Sequence, residues 1–152
     1  MATVQEDKTT SIRILSSEEQ ALFFIQAERN IAHVMRMLNQ YFWKHKPKML
    51  NPRSVSAADR YISYRRPRIK QQVSRPEIGV SAFVTVEQIN HWRGEPQLQY
   101  YLYVLTARSG VPERKVVDQG YELEGDATIS ILEVEQEYIV INTKSGKMTI
   151  LL

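Results

Sequence analysis

Residues 79–106 read GVSAFVTVEQINHWRGEPQLQYYLYVLT, and this stretch decides the fold. Val80, Ala82, Val84 and Val86 alternate with Ser81, Phe83, Thr85 and Glu87. That is the period a strand imposes, because successive side chains leave opposite faces. Leu98, Tyr100, Leu102, Val104 and Thr106 alternate in the same way with Gln99, Tyr101, Tyr103 and Leu105, after a polar loop through Arg93, Gly94, Glu95 and Pro96. The two runs are expected to pair as an antiparallel hairpin.

The same reading extends toward residue 152. Ser109-Gly110 and Glu124-Gly125-Asp126 are turn signals, with a short pairing segment over Lys115 to Val117 between them and Ile129, Leu132 and Val134 after them. Tyr138, Val140 and Asn142 alternate with Ile139 and Ile141, and Lys144-Ser145-Gly146-Lys147 turns the chain into Met148 to Leu152. Residues 79–152 therefore read as an antiparallel β-domain of five to six strands, closed as a small barrel or folded as a sandwich.

Upstream the period changes. Ser16, Ser17, Glu18, Glu19 and Gln20 contain two overlapping capping boxes, so a helix begins here. Phe24, Ala27, Ile31, Val34, Leu38 and Tyr41 then recur at spacings of three and four, the mark of an amphipathic helix packed on the β-domain. Leu22, Phe23, Ile25, Met35, Met37, Phe42 and Trp43 broaden that stripe, which leaves apolar surface for a second copy or another partner. Lys44, His45 and Lys46 suit a helix C-terminus, and Pro47 is expected to stop the helix near residue 45. The chain thus divides into a polar arm (1–15), a long helix (16–45), a basic Pro-containing connector (46–78) and the β-domain (79–152), an α+β protein forming one globular domain. Ser56 and Asp59 are candidates to cap about two helical turns within the connector.

Composition narrows the function classes. At 43% apolar and 24% charged residues the chain is an ordinary folded protein. The apolar run Ala21 to Ala27, itself broken by Gln26, falls short of the ~20 residues that a spanning helix needs. Residues 1–10 carry Glu6 and Asp7 and have no apolar stretch, so they do not read as a leader. The expected location is the cytoplasm, or a particle or complex assembled there. Without cysteine, disulfides, thiolate metal sites and Cys nucleophiles are excluded. His33, His45 and His91 have no metal-ligand spacing, and neither a nucleophile elbow nor a glycine-rich phosphate loop occurs. Glu133, Glu135 and Glu137 would share a face on a continuous strand, where they more simply mark its solvent side. No catalytic residue, metal or cofactor is assigned, and the chain is read as a non-enzyme.

Charge is distributed unevenly. Residues 1–80 hold 14 Lys/Arg against 7 Asp/Glu, and residues 81–152 hold 6 against 10. Trp43, Lys44, Lys46, Lys48, Arg53, Arg60, Tyr61, Tyr64, Arg65, Arg66, Arg68, Lys70 and Arg75 form a basic stretch with interleaved aromatics. Cations neutralise phosphates and aromatic rings stack on bases, so these residues are candidates for nucleic-acid binding, or for docking on an acidic protein face. His91, Trp92 and Arg93, at the tip of the hairpin loop, form a second candidate recognition site.

The segment VVDQGYELEGDATISILEVEQEYIVINTKSGKMTILL, Val116 to Leu152, resembles the small β-domain of inner-membrane assembly proteins of type II secretion and type IV pili. The shared features are a strand, a glycine turn before a GDA-like step, an alternating strand and a final hairpin. The likeness spans about a quarter of the chain. Those proteins carry an N-terminal membrane anchor that has no counterpart here. The resemblance implies an assembly role and no chemistry. Combined with the helix and the charge asymmetry, it points to a structural or assembly subunit, as in a phage particle or secretion machine, forming homo-oligomers or binding a protein partner. A nucleic-acid-binding protein is the alternative.

Overall fold

The computed structural model describes residues 12–49, 66–89, 97–120 and 129–152. Helix α1 spans Ser17–Met49 and is followed by strands β1 (Arg68–Arg75), β2 (Val80–Ile89), β3 (Gln97–Thr106), β4 (Glu113–Gly120), β5 (Ser130–Val134), β6 (Tyr138–Thr143) and β7 (Gly146–Leu151). A single 3-10 turn, Pro76–Ile78, joins β1 to β2. All described pairings are antiparallel, in one sheet of order β1-β2-β3-β4 and another of order β5-β6-β7.

The hairpin read from residues 79–106 is present, with register running from Val80 opposite Thr106 to Ile89 opposite Gln97. Val80, Ala82, Val84 and Val86, with Leu98, Tyr100, Leu102 and Val104, turn to one side and meet Ile129, Ile131, Val134, Ile139, Ile141 and Ile150 of the second sheet. The two sheets thereby bury one shared apolar core. Their open order corrects the barrel expectation; residues 79–152 carry six described strands, within the five to six expected, and β1, ahead of them, adds a seventh.

Two further expectations are corrected. The segment 46–78 is not an irregular connector throughout: residues 46–49 continue α1, and Arg68–Arg75 pair with β2 from Arg68 opposite Val86 to Arg75 opposite Val80. The proposed short helix from Ser56 lies outside the described residues. Nor does Pro47 stop α1 at residue 45. The helix runs to Met49, forgoing the one bond that Pro47 has no N–H to donate.

The start of α1 follows the capping-box reading. Ser16 Oγ accepts the Glu19 N–H at 3.2 Å, and the Glu19 carboxylate accepts the Ser16 N–H at 3.0 Å. Arg13 adds an ion pair to Glu19 at 2.6 Å. The Ser16 backbone bond, helped by the Ser16 hydroxyl and the Arg13 charge and opposed by desolvation, holds the Glu19 carboxyl below its ordinary range.

Burial along α1 follows the expected stripe at Ala27, Ile31, Val34 and Leu38 and departs from it at the two ends, where Phe23 and Phe42 replace Phe24 and Tyr41. Phe23 (3% exposed) and Ala27 pack with Leu15 and Leu105, whereas Phe24 is 51% exposed and Tyr41 is also exposed. Ile31, Val34, Leu38 and Phe42 continue the Phe23–Ala27 line at half burial. Apolar side chains also face outward, so the helix carries more apolar surface than one stripe accounts for.

Candidate functional site

The basic stretch divides between two tasks. Lys70, Gln71 and Arg75 reach from β1 to the free edge of β5. Lys70 Nζ donates to the Ile129 carbonyl, Arg75 Nη1 donates to the Val134 carbonyl at 2.8 Å, and Arg75 also pairs with Glu77 at 3.3 Å and Glu135 at 3.4 Å. Gln71 bonds Ile131 twice, Nε2 donating to its carbonyl at 3.1 Å and Oε1 accepting its N–H at 2.6 Å. These side chains supply to β5 the partners that a neighbouring strand would otherwise give. The two nearest edges of the sheets are thus sewn together by side chains.

Lys44, Arg66 and Arg68 remain at the surface. The Arg66 guanidinium lies 4.7 Å from the Trp43 ring centroid, and Phe42 meets Trp43 edge to face at 5.5 Å. A cation held on an indole face is a stable arrangement that leaves N–H groups free to bond outward. Lys46 and Lys48 belong to the last turns of α1, but their side chains lie outside the described residues. So do Arg53, Arg60, Tyr61, Tyr64 and Arg65, and the loop residues His91, Trp92 and Arg93.

On the face of the first sheet opposite the core, a second group of side chains gathers that sequence reasoning did not single out. Phe83 and Tyr103 stack in parallel with centroids 4.9 Å apart, and Arg114 lies 4.6 Å from the Tyr101 centroid. Thr85 donates to the Glu87 carboxylate at 3.1 Å. Burial pushes the Glu87 carboxyl up, against the opposing Thr85 bond and Arg114 charge. Burial also pushes the Tyr103 hydroxyl up. The signal in the sequence was that Phe83, Tyr101 and Tyr103, all aromatic, fall on the hairpin face opposite Val80, Ala82, Val84 and Val86. With Ser81, Thr85 and Leu105 they bury this side as well.

A cleft of about 340 Å³ opens where the start of α1, the 3-10 turn and the end of β3 converge, lined in part by Arg13, Glu19, Thr106, Arg108, Gln136 and Glu137. Gln136 anchors the segment before α1. Its Oε1 accepts the Arg13 N–H at 2.9 Å, and Nε2 donates to the carbonyls of Arg13 at 2.7 Å and Ile78 at 3.1 Å. Leu15 N–H adds a bond to the Glu77 carbonyl at 2.8 Å. The floor is shaped by Gly79, at φ 66°, where an added Cβ would stand 2.7 Å from Ala107 Cβ. The charged groups on the rim fit ionic contacts, and among the described residues no group of three metal-ligating side chains forms.

The carboxylates Glu133, Glu135 and Glu137 do not share one strand face. A bulge between Ile131 and Glu133 interrupts β5, which ends at Val134. Glu135 turns to Arg75, while Glu133 accepts a bond from the Tyr138 hydroxyl at 3.3 Å.

Apolar and cationic side chains also stand exposed along the outer side of α1. Leu22 (69% exposed), Ile25, Met37 and Trp43 stand in solvent with Arg29, Ala32 and Arg36. Leu22, Ile25, Arg29, Ala32, Arg36 and Trp43 fall largely at steps of three and four, which places them along one side of the helix. Among the described residues no carboxylate lies within ion-pair distance of Arg29 or Arg36. Among the described residues no helix is long and apolar enough to cross a membrane.

No family model, curated protein or solved structure matches this chain.

Proposed function

We propose that this protein is a non-catalytic interaction or assembly subunit of a larger complex, such as a phage particle or secretion machine, that docks through α1. One observation carries the reading: a helix of 33 residues in which Leu22, Phe24, Ile25, Met37, Tyr41 and Trp43 are all exposed. At about 1.5 Å per residue the helix is roughly 50 Å long. Exposed apolar groups on such a scale are characteristic of association surfaces.

A photo-reactive residue at position 25 of the full-length protein, irradiated in extract of its native cells, tests the proposal. Discrete cross-linked species of higher mass are expected, absent when the probe stands at Lys144 in the exposed β6–β7 turn. No discrete product from position 25 would remove it.

Nucleic-acid binding is the second reading, favoured by the stacking of Arg66 on Trp43 beside Lys44 and Arg68. Anisotropy of a labelled oligonucleotide between about 50 and 200 mM salt decides it, because phosphate contacts release counterions and give a steep salt slope. Arg66→Gln with Arg68→Gln should then weaken binding. No binding at the lowest salt dismisses this reading.

A further inference from the structure

Two open sheets leave four edge strands, β1, β4, β5 and β7. Three of them carry a bulge: Lys70 in β1, Val117 in β4 and Leu132 in β5 each stand without an opposite residue in the pairing. A bulge bends an edge and breaks its regular row of N–H and C=O groups, which hinders the addition of another strand. The β5 edge is closed further by Lys70, Gln71 and Arg75. Strand β7 has neither device. Its six residues, GKMTIL, contain no proline and hold an unbroken register against β6, from Gly146 opposite Thr143 to Leu151 opposite Tyr138.

One bond fixes the direction of its backbone groups. Leu152 N–H donates to the Glu137 carbonyl at 2.9 Å, so Leu152 aims at β6. In an antiparallel strand alternate residues aim the same way. Gly146, Met148 and Ile150 therefore bond β6, while Lys147, Thr149 and Leu151 point their N–H and C=O groups away from it. Among the described residues nothing bonds these outward groups, and no hydrogen bond joins β7 to the first sheet. Where β1 and β5 are sewn together, the opposite flank leaves a groove of about 170 Å³, lined in part by Val104, Val111 and Leu152 with the opposite charges of Arg108 and Glu113.

We infer that β7 pairs with β7 of a second copy, antiparallel about a two-fold axis at Thr149, so that two three-stranded sheets become one continuous sheet. The inference goes beyond the docking role of α1 and does not depend on it. The main chain of another strand gives such an edge its affinity, and the side chains decide which strand fits. Strand β7 suits itself. With Thr149 opposite Thr149, a favourable cross-strand pair, Met148 falls opposite Ile150 of the second copy on the core side. Lys147 falls opposite Leu151 on the outer side, and its stem covers a leucine that is otherwise 76% exposed. Lys147 is the only charge on β7 and a residue type that commonly guards an edge. In this register the two copies of Lys147 stand four positions apart along the strands, roughly 14 Å, and do not oppose the contact. A parallel pairing in register would set them side by side. The contact is isologous, so it closes at a dimer. One pair of strands is a small interface, which makes dimerisation concentration-dependent.

Single cysteines test it, since the chain has none of its own. Opposite residues of a hydrogen-bonded pair have Cα atoms about 5.5 Å apart, within disulfide reach. Thr149→Cys should therefore give a covalent dimer on mild oxidation, whereas Lys147→Cys, roughly 14 Å from its mate, should not. Lys144→Cys should also stay unlinked, because the β6–β7 turn projects past the paired residues. In sedimentation the wild-type mass should rise with concentration from monomer toward dimer. Thr149→Pro should sediment as a monomer with unaltered circular dichroism, because the N–H that it removes points away from β6. If that variant misfolds, the cysteine pattern still decides. Three results would each overturn the inference: a wild-type monomer at every concentration, cross-linking no faster at position 149 than at 147, or a folded Thr149→Pro that still dimerises. The last would place self-association on another surface and leave α1 as the docking element untouched.

Discussion

The side-chain amide of Gln71 bonds both the N–H and the carbonyl of Ile131, as a paired strand residue would. An amide side chain carries a donor and an acceptor side by side at its tip, with the same spacing as a backbone amide, so it can complete a strand edge in both senses. Gln71→Leu should cost about 1–3 kcal/mol in urea denaturation, because both backbone groups lose their partner. Gln71→Glu should fail similarly at neutral pH: its carboxylate still accepts the Ile131 N–H but has nothing to donate to the carbonyl.

Neighbouring phenylalanines on α1 should behave oppositely. Phe23 is buried against Ala27, Leu15 and Leu105, whereas Phe24 is half exposed. Phe23→Ala should destabilise by about 3 kcal/mol or more. Phe24→Ala should stay within about 0.5 kcal/mol. Thermal melts of the two variants check the assignment of the helix faces.

Gly79 combines a left-handed backbone with a close approach. At φ 66° and with Ala107 Cβ 2.7 Å from an added Cβ, Gly79→Ala meets strain and clash together. A loss of about 1–3 kcal/mol is expected for the backbone alone. Adding Ala107→Gly should recover the steric part and leave the conformational part, so the double variant falls between wild type and Gly79→Ala.

The raised Glu87 carboxyl gives a pH signature. With a folded-state value above the unfolded one, the folded protein holds this proton more tightly. The favourable contribution is complete below the unfolded value and is lost as pH rises through the folded one. Glu87→Gln, which stays neutral throughout, should therefore melt roughly 2–4 °C above wild type at pH 7. The difference should shrink as pH falls toward about 4. A constant difference across that range would show that the charge is not responsible.

These four sites also show where the sequence was readable. The β2–β3 hairpin was legible because Val80 to Val86 and Leu98 to Val104 serve a single physical demand, alternation toward an apolar core. Strand β1 was not, since in RIKQQVSR the polar residues that made it look like a solvated connector are the ones that bond the edge of β5. No local pattern reports a partner 59 or 60 positions away. On α1 the caps located the start, but choosing Phe23 over Phe24 required knowing where Leu105 lies. One residue of error turns a helix by about 100°. Of the candidate basic residues, Lys70 and Arg75 fill internal bonds, while Lys44, Arg66 and Arg68, with the aromatic Trp43, remain at the surface.

The clamp between Gln136 and Arg13 joins positions 123 apart, and this sets an order of events. A ribosome adding about 5–20 residues per second delivers Gln136 roughly 6–25 s after Arg13. For the later part of that interval α1 has been synthesised, yet the segment that fixes its beginning is not anchored, and the seam between β1 and β5 is equally incomplete. Leu22, Phe24 and Ile25 are thus on display before the chain can close around its own core. A nascent chain therefore presents the exposed apolar side chains of its helix before the sheets that anchor it are complete.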